Sequence, residues 1–376
     1  MTAFHPGLVG FDATPLEMQH GSGVSHYAAR LLAALVARGD ERRYALLAGR
    51  PLNGQFPYGT LGQVGAQLPN RTLWMQFVLP RTLARLKPEL CHFTNSIAPL
   101  AAPCPFVVTL HDMSLFLYAS MQPLKSLLLV RSLIRAVARR AGAVITVSHS
   151  ARRDILAGLD LPPDKVRAVY EAASPGYRPL AGDAALERVR SKYGLHEPFI
   201  LFVGTVEPRK NLGRLVQAFA RLRRQGRRER LVLAGQLGWK YDSVLRQIDE
   251  AGEAQSVRLL GYVPEADLPA LYNLAHAVAF PSLYEGFGLP VVEGMACGTP
   301  VLTSDCSSMA ELGEGAALLV DPLQVEAIAD GLDRLLSDET LRGELRAAGL
   351  IRAAQFSWER AAAETVAVYQ GLGARG

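Results

Sequence analysis

The segment Tyr284-Glu285-Gly286-Phe287-Gly288-Leu289-Pro290-Val291-Val292-Glu293 places two carboxylates around a glycine-rich turn. It follows the run ending at Phe280-Pro281-Ser282 and opens a helical pattern, with Pro290 suited to the first turn. Glu285 then lies in the loop and Glu293 just over a turn inside the helix. Carboxylates are bidentate acceptors for sugar diols. Gly286 and Gly288 let the backbone come close to a ligand and present helix N-terminal amides to an anion. A plain turn followed by a solvated glutamate would use the same letters.

A second element, Gly204-Thr205-Val206-Glu207-Pro208-Arg209-Lys210-Asn211, leaves an apolar run and opens the helix from Leu212. Adjacent Arg209 and Lys210 at a helix N-terminus join a fork donor, a point charge and the helix dipole, which suits a departing diphosphate. Gly21-Ser22-Gly23 precedes the helix from Val24 and offers further amides to phosphate oxygens. His26 stands where a dinucleotide fingerprint needs its last glycine, which argues against a nicotinamide enzyme. His111-Asp112 follows the run Phe106–Leu110, where a histidine can donate to a substrate hydroxyl, stabilise charge, or simply cap a strand end. Asn95-Ser96, after the preceding run, lines an acceptor site or makes a turn. There is no DxD triplet, HExxH, GxSxG elbow or GxxxxGK[ST] loop. Charge neutralisation is therefore expected from side chains and amides, with no metal.

These motifs fall where short apolar runs give way to helical patterns, the signature of parallel sheets with crossover helices, so the fold class is α/β. Strands are expected at Leu8–Phe11, Tyr44–Leu47, Leu90–Phe93, Phe106–Leu110, Ala143–Val147 and Val166–Val169. The alternation pauses over Ala172–Pro198, where the interdomain linker is expected, and resumes with runs from Phe199, Leu231, Val257, Ala277, Val301 and Ala317. The expected domains are 1–178 and 195–355, with the last helix, in 356–376, free to return to the first. Two doubly wound domains of this kind would face a central cleft with the carboxyl ends of their strands, where ligands of open α/β sheets bind.

A length of 376 residues supports two domains at about 150 residues each. With 49% hydrophobic and 20% charged residues the chain is an ordinary globular one. The net charge of +5 favours polyanionic partners without choosing among nucleic acid, anionic membrane and phosphorylated substrates. Cys91, Cys104, Cys297 and Cys306 form no CxxC pair and read as buried reduced thiols. With no signal-peptide pattern at the N-terminus, a cytoplasmic protein is expected. Leu124–Arg140 and Arg71–Lys87 are basic amphipathic patterns, open to two readings: docking on an anionic leaflet, or crossover helices with a core face. No apolar run reaches the ~20 residues of a spanning helix.

Together, the EGFGLPVVEGMACGTPVL block, the GTVEPRKN turn, the Gly21-Ser22-Gly23 loop and His111 resemble the retaining glycosyltransferases of family four, which have the GT-B fold. The match in order and spacing runs over nearly the whole chain. The resemblance implies that Glu293 holds the nucleotide ribose and that Glu285, with the amides of Gly286, Phe287 and Gly288, grips the donor sugar. Arg209 and Lys210 would neutralise the diphosphate, Gly21 and Gly23 would close on it, His111 would stand beside the donor sugar, and the backbone at Tyr262 and Val263 would hold the base. No cofactor is required beyond the nucleotide sugar. The stretches GQLGWKYDSVL, GYVPEADLPALY and SLYEGFGLP are similar to mannosyltransferase members, so GDP-mannose is the favoured donor and a UDP-sugar the alternative. The implied acceptor is a saccharide or lipid-linked glycan in polysaccharide biosynthesis, reached from the cytoplasm by a peripheral protein at the inner face of the membrane, with no nucleic-acid partner. Outside the transferases, a noncatalytic glycan-binding protein of this fold and a two-domain epimerase or phosphorylase remain as other readings. The mechanism expected is front-face displacement, because no carboxylate is clearly placed as a nucleophile.

Overall fold

Strands buried on both faces of a parallel sheet read as unbroken apolar runs, and Phe199–Val203 (FILFV) and Phe106–Thr109 (FVVT) are of this type, nearly every residue being buried. The computed structural model describes residues 5–17, 23–50, 52, 61–64, 70–118, 127–182, 184–238 and 240–373. The chain divides into two compact units, one of Met1–Ala119, Pro123–Glu171 and Ser357–Gly376, the other built on Ala172–Phe356.

The first unit holds β1 (His5–Asp12), β2 (Arg43–Leu47), β3 (Leu61–Val64), β4 (Pro88–Phe93), β5 (Phe106–Thr109), β6 (Ala143–Thr146) and β7 (Val166–Ala168). Their order is β3-β2-β1-β4-β5-β6-β7, and all the pairings are parallel. The second holds β8 (Phe199–Val203), β9 (Arg230–Ala234), β10 (Val257–Gly261), β11 (Ala277–Phe280), β12 (Val301–Ser304) and β13 (Leu318–Val320) in the order β10-β9-β8-β11-β12-β13, again parallel. Both sheets are doubly wound, reversing direction between β1 and β4 and between β8 and β11. Such a reversal leaves a crevice at the carboxyl ends of the two central strands. β3 carried no sequence signal of its own.

The segment expected as a linker contains the helix Ala184–Tyr193, which packs on the helix Leu268–Leu274 of the second unit. Asp267 anchors it, accepting from Lys192 at 2.6 Å and from the Tyr193 hydroxyl at 2.9 Å. One short amphipathic helix among prolines and glycines is therefore part of the second unit rather than a spacer.

The C-terminal helix Trp358–Gly373 packs on the helix Gly23–Ala37 within the first unit. Ala361, Ala362, Val366 and Tyr369 form its buried stripe. A line of buried hydrogen bonds continues inward: Tyr369 OH to His92 Nδ1 at 2.7 Å, His92 Nε2 to Thr109 Oγ1 at 2.8 Å, and Thr109 Oγ1 to Tyr27 OH at 3.0 Å. Burial pushes His92 down to about 3, so it sits in this chain as a neutral ring.

The pattern over Thr72–Leu86 is a single helix in sequence, but Leu79 N–H bonds back to Trp74 O, five residues earlier. The resulting π-helical turn changes the phase of the helix ahead of Pro80, so that Trp74 and Met75 are buried while Leu73 and Phe77 stay exposed. All four cysteines are free; Cys91, Cys104 and Cys297 are buried and Cys306 is half-buried. Cys91 and Cys104, remote in sequence pattern, bring their sulfurs to 3.4 Å.

Candidate active site

In the second unit the predicted residues meet where the sheet reverses. β8 ends at Val203, Gly204 follows it, and a single 3₁₀ turn, Pro208–Lys210, precedes the helix Leu212–Arg224. β11 ends at Phe280, and its loop carries Glu285 into the helix Leu289–Ala296. Asn211, at φ 60°, locks the two turns together by donating from Nδ2 to Pro281 O at 3.0 Å and Pro322 O at 2.6 Å. Backbones crowd here as well: a Cβ on Gly235, after β9, would lie 2.0 Å from Gly204 O, so no other residue fits.

Glu285 is the centre of the cluster. Lys210 Nζ donates to its Oε1 at 2.7 Å, Arg209 Nη1 to its Oε2 at 2.8 Å, and Ser282 Oγ to Oε1 at 2.5 Å. Arg209 also reaches Tyr284 O at 2.6 Å and Glu207 Oε1 at 2.7 Å. Glu285 is only 8% exposed, and burial alone would raise its carboxyl; Arg209 and Lys210 overcome that and hold it at about 2. Lys210 Nζ lies over the Phe280 ring at 5.1 Å, and its burial lowers its pKa against the pull of Glu285.

At the ends of strand-to-helix loops Lys210 and Glu285 are expected to stand open to a ligand; each is instead enclosed by the other, because a buried charge needs its counter-charge. The oxygens of Glu285, which the resemblance assigns to the donor sugar, both accept from the protein as well. Glu285 is first of all the counter-ion of the two cations. Lys210 still has donors in hand, since an ammonium carries three N–H groups and Glu285 takes one.

The Gly286–Gly288 loop is pinned from the neighbouring strand end. Ser307, at φ 56°, donates from Oγ to Glu285 O at 2.7 Å and accepts from Glu285 N at 3.1 Å, while Ser308 Oγ donates to Glu285 O and Phe287 O. Phe287 is buried edge-to-face against Phe356 at 5.9 Å. Gly288 caps the helix at φ 116°, a conformation that favours glycine. One turn on, Glu293 is 6% exposed and its Oε2 accepts from Tyr272 OH at 2.7 Å. Burial and the Glu293 charge raise the Tyr272 phenol, so it remains a donor. At the end of β10, Tyr262 is 46% exposed beside buried Val263.

In the first unit, His111 follows β5 with Nε2 2.9 Å from Thr94 O and Nδ1 3.5 Å from Glu171 Oε1. Asp112 turns to its own backbone, accepting from Ser114 N at 2.8 Å. Ser96, at φ 56°, and Asn95 form a turn. Gly23 begins its helix exposed, and a Cβ there would meet nothing within 4 Å, so packing does not dictate glycine. Gly21 lies outside the described residues. Glu171, Glu207, Ser282, Ser307, Ser308 and Tyr272 carried no functional reading in sequence; the Ser307-Ser308 pair at a strand's carboxyl end was the available signal.

The model described as glycosyltransferase family 4 matches residues 21–175, and that for glycosyl transferases group 1 matches residues 186–351. The chain is 38% identical over 269 residues, 71% of its length and 70% of the relative's, to O-antigen chain mannosyltransferase B of Escherichia coli. The chain belongs to glycosyltransferase family 4. This transferase is also 34% identical over 229 residues to the serotype-specific mannosyltransferase WbdA of Escherichia coli, an alignment covering 59% of the chain but only 28% of that longer protein. Sucrose-phosphate synthase from Thermosynechococcus elongatus superposes with a TM-score of 0.79 at 20% identity, covering 98% of this chain and 100% of that one. The transferase therefore has the GT-B fold. Among its described residues no helix is long and apolar enough to cross a membrane.

Proposed function

We propose that this transferase moves mannose from GDP-mannose to a glycan or lipid-linked saccharide during polysaccharide assembly, with retention at the anomeric carbon and no divalent cation. The observation that carries the proposal is the Arg209–Lys210 pair, fixed at the reversal of the second sheet by Glu285. The named activities of the mannosyltransferase relatives support the sugar.

In this reading the second unit takes the nucleotide sugar. Glu293 and Tyr272 meet the ribose hydroxyls, the backbone at Tyr262 and Val263 the base, and the amides of the Gly286–Gly288 loop the sugar. As the bond from the anomeric carbon to the diphosphate breaks, charge grows on the leaving oxygen, and the spare Lys210 donors and Arg209 stabilise it. The acceptor hydroxyl bonds to the same face of that carbon and passes its proton to the departing phosphate. Support for this front-face course comes from Asp112, the carboxylate next to His111, whose Oδ1 is engaged with Ser114 N.

The first unit supplies the acceptor side and a membrane contact. Leu128 is 79% and Leu129 72% exposed at the start of the helix Leu127–Arg140, whose Arg131 and Arg135 stack over Phe116. Leu73 and Phe77 are exposed on a helix that also carries Arg81 and Arg85. Apolar side chains among arginines suit an anionic leaflet. Residues 124–126 of the first stretch lie outside the described residues.

A thermal-shift panel of nucleotide sugars and nucleoside diphosphates tests the donor, because a ligand that binds only the folded state raises the melting temperature. GDP-mannose and GDP should raise it most. A larger rise with UDP-sugars would replace the donor, and no rise with any of them would remove the proposal.

A further inference from the structure

His111 presents an electrostatic problem that its surroundings solve. Thr94 O, 2.9 Å from Nε2, can only accept, so Nε2 carries a proton. Glu171 Oε1 lies 3.5 Å from Nδ1, and a carboxylate oxygen also only accepts. A neutral ring with its single proton on Nε2 would turn the Nδ1 lone pair toward a carboxylate. Protonation of both nitrogens removes that repulsion and makes an ion pair. Glu171 is 4% exposed, and among the described residues no other cation pairs with it. Leaving this carboxylate without His111 would strand a buried charge.

We propose that Glu171 is a positioning residue that holds His111 as an imidazolium, with Nε2–H committed to Thr94 and Nδ1–H kept as the donor the ring can lend to a substrate oxygen. The contribution to turnover rests on the transferase reading above. At 3.5 Å the Nδ1–Glu171 contact is at the outer limit of a hydrogen bond. A substrate oxygen that approaches Nδ1 therefore displaces little.

The groups facing His111 are few. Glu171 follows β7, and Asp112 is its chain neighbour. The Tyr27 ring meets the imidazole edge-on at 4.7 Å, its hydroxyl tied to Thr109 and kept protonated by burial. His92, on β4, is neutral. Burial alone would lower His111; Glu171, with the Thr94 carbonyl and Asp112 behind it, reverses the sign and raises it. The imidazolium thus persists to higher pH than in an ordinary histidine, and what it contributes is lost as pH rises through that raised value.

Histidine-selective ¹⁵N NMR on the full chain, with His111→Asn to assign the signal, tests the pair without any turnover. The wild-type His111 resonances should titrate above the ordinary histidine range, and Glu171→Gln should move the midpoint down. Should that variant not fold, Glu171→Asp, with its carboxylate drawn back by one methylene, should move it part-way. In transfer assays Glu171→Gln should lose about tenfold in kcat at pH 8 and a smaller factor at pH 6, because a ring that has lost its counter-charge gains its proton only as the pH falls. A midpoint that Glu171→Gln leaves in place, or a loss of kcat equal at both pH values, overturns the proposal. If the wild type transfers no sugar from any donor, the transferase reading fails, while the NMR titration still decides the pair.

Discussion

Lys210 Nζ donates to Glu285 Oε1 at 2.7 Å across 75 residues of sequence, and through that bond the turn after β8 is fastened to the turn after β11. The contact falls where the second sheet reverses its strand order, the place at which an open α/β sheet admits ligands. Arg209, Lys210, Glu207 and Glu285 compensate one another, so the cations are held ready in a neutral cluster rather than left as an exposed patch. A diphosphate brings the charge that makes the spare Lys210 donors useful.

Lys210→Ala should reduce kcat/KM by a factor of about 10²–10³, the usual loss when one donor to a developing anion is removed. Glu285 keeps Arg209 and Ser282, so the variant should fold. Circular dichroism and steady-state kinetics check both parts; wild-type turnover in a folded variant would take Lys210 out of the reaction.

Because the Glu285 carboxyl is held down at about 2, below its ordinary value of 4.5, its ion pairs stabilise the fold above the ordinary value and are lost as pH falls toward about 2. Denaturant unfolding from pH 6 to pH 2 should show this acid loss in the wild type and a shallower one in Glu285→Gln. Parallel curves would mean that the pair contributes nothing to stability.

Glu293→Gln should weaken nucleotide binding about tenfold, since a charged acceptor adds roughly 1.5–3 kcal/mol per hydrogen bond to a hydroxyl. Tyr272→Phe should weaken it less, because it removes one hydrogen bond that orients Glu293 without removing the charge. Calorimetric titration with GDP measures both, and unchanged affinity in Glu293→Gln would move the ribose elsewhere.

Replacing Leu128 and Leu129 by serine should lower binding to vesicles containing phosphatidylglycerol with no change in melting temperature, because both side chains are exposed. Flotation measures it. Equal flotation of variant and wild type would place the membrane contact on another face or remove it.

Much of this was legible in the letters. The apolar runs marked every strand but β3, whose LGQV sequence sets a glycine and a glutamine between its two apolar residues, and the two loops holding Arg209, Lys210 and Glu285 were visible as motifs at strand ends. What the letters hid was pairing. Glu285 and Lys210 each look like free ligand-binding groups until the fold brings them together, and Glu171 gains meaning only through His111, 60 residues away in sequence but 3.5 Å away in space. Phase was hidden as well: the helical pattern at Arg71–Lys87 does not reveal the π turn that buries Trp74 and leaves Phe77 outside.

Comparison of GDP with GMP binding by calorimetry in EDTA, for the wild type and an Arg209→Ala/Lys210→Ala variant, isolates the β-phosphate from every other contact. The wild type should bind GDP at least about tenfold more tightly than GMP without a metal, and the double variant should lose that preference. Equal binding of the two nucleotides by the wild type, or a preference that survives in the double variant, would contradict a diphosphate site built on these two cations.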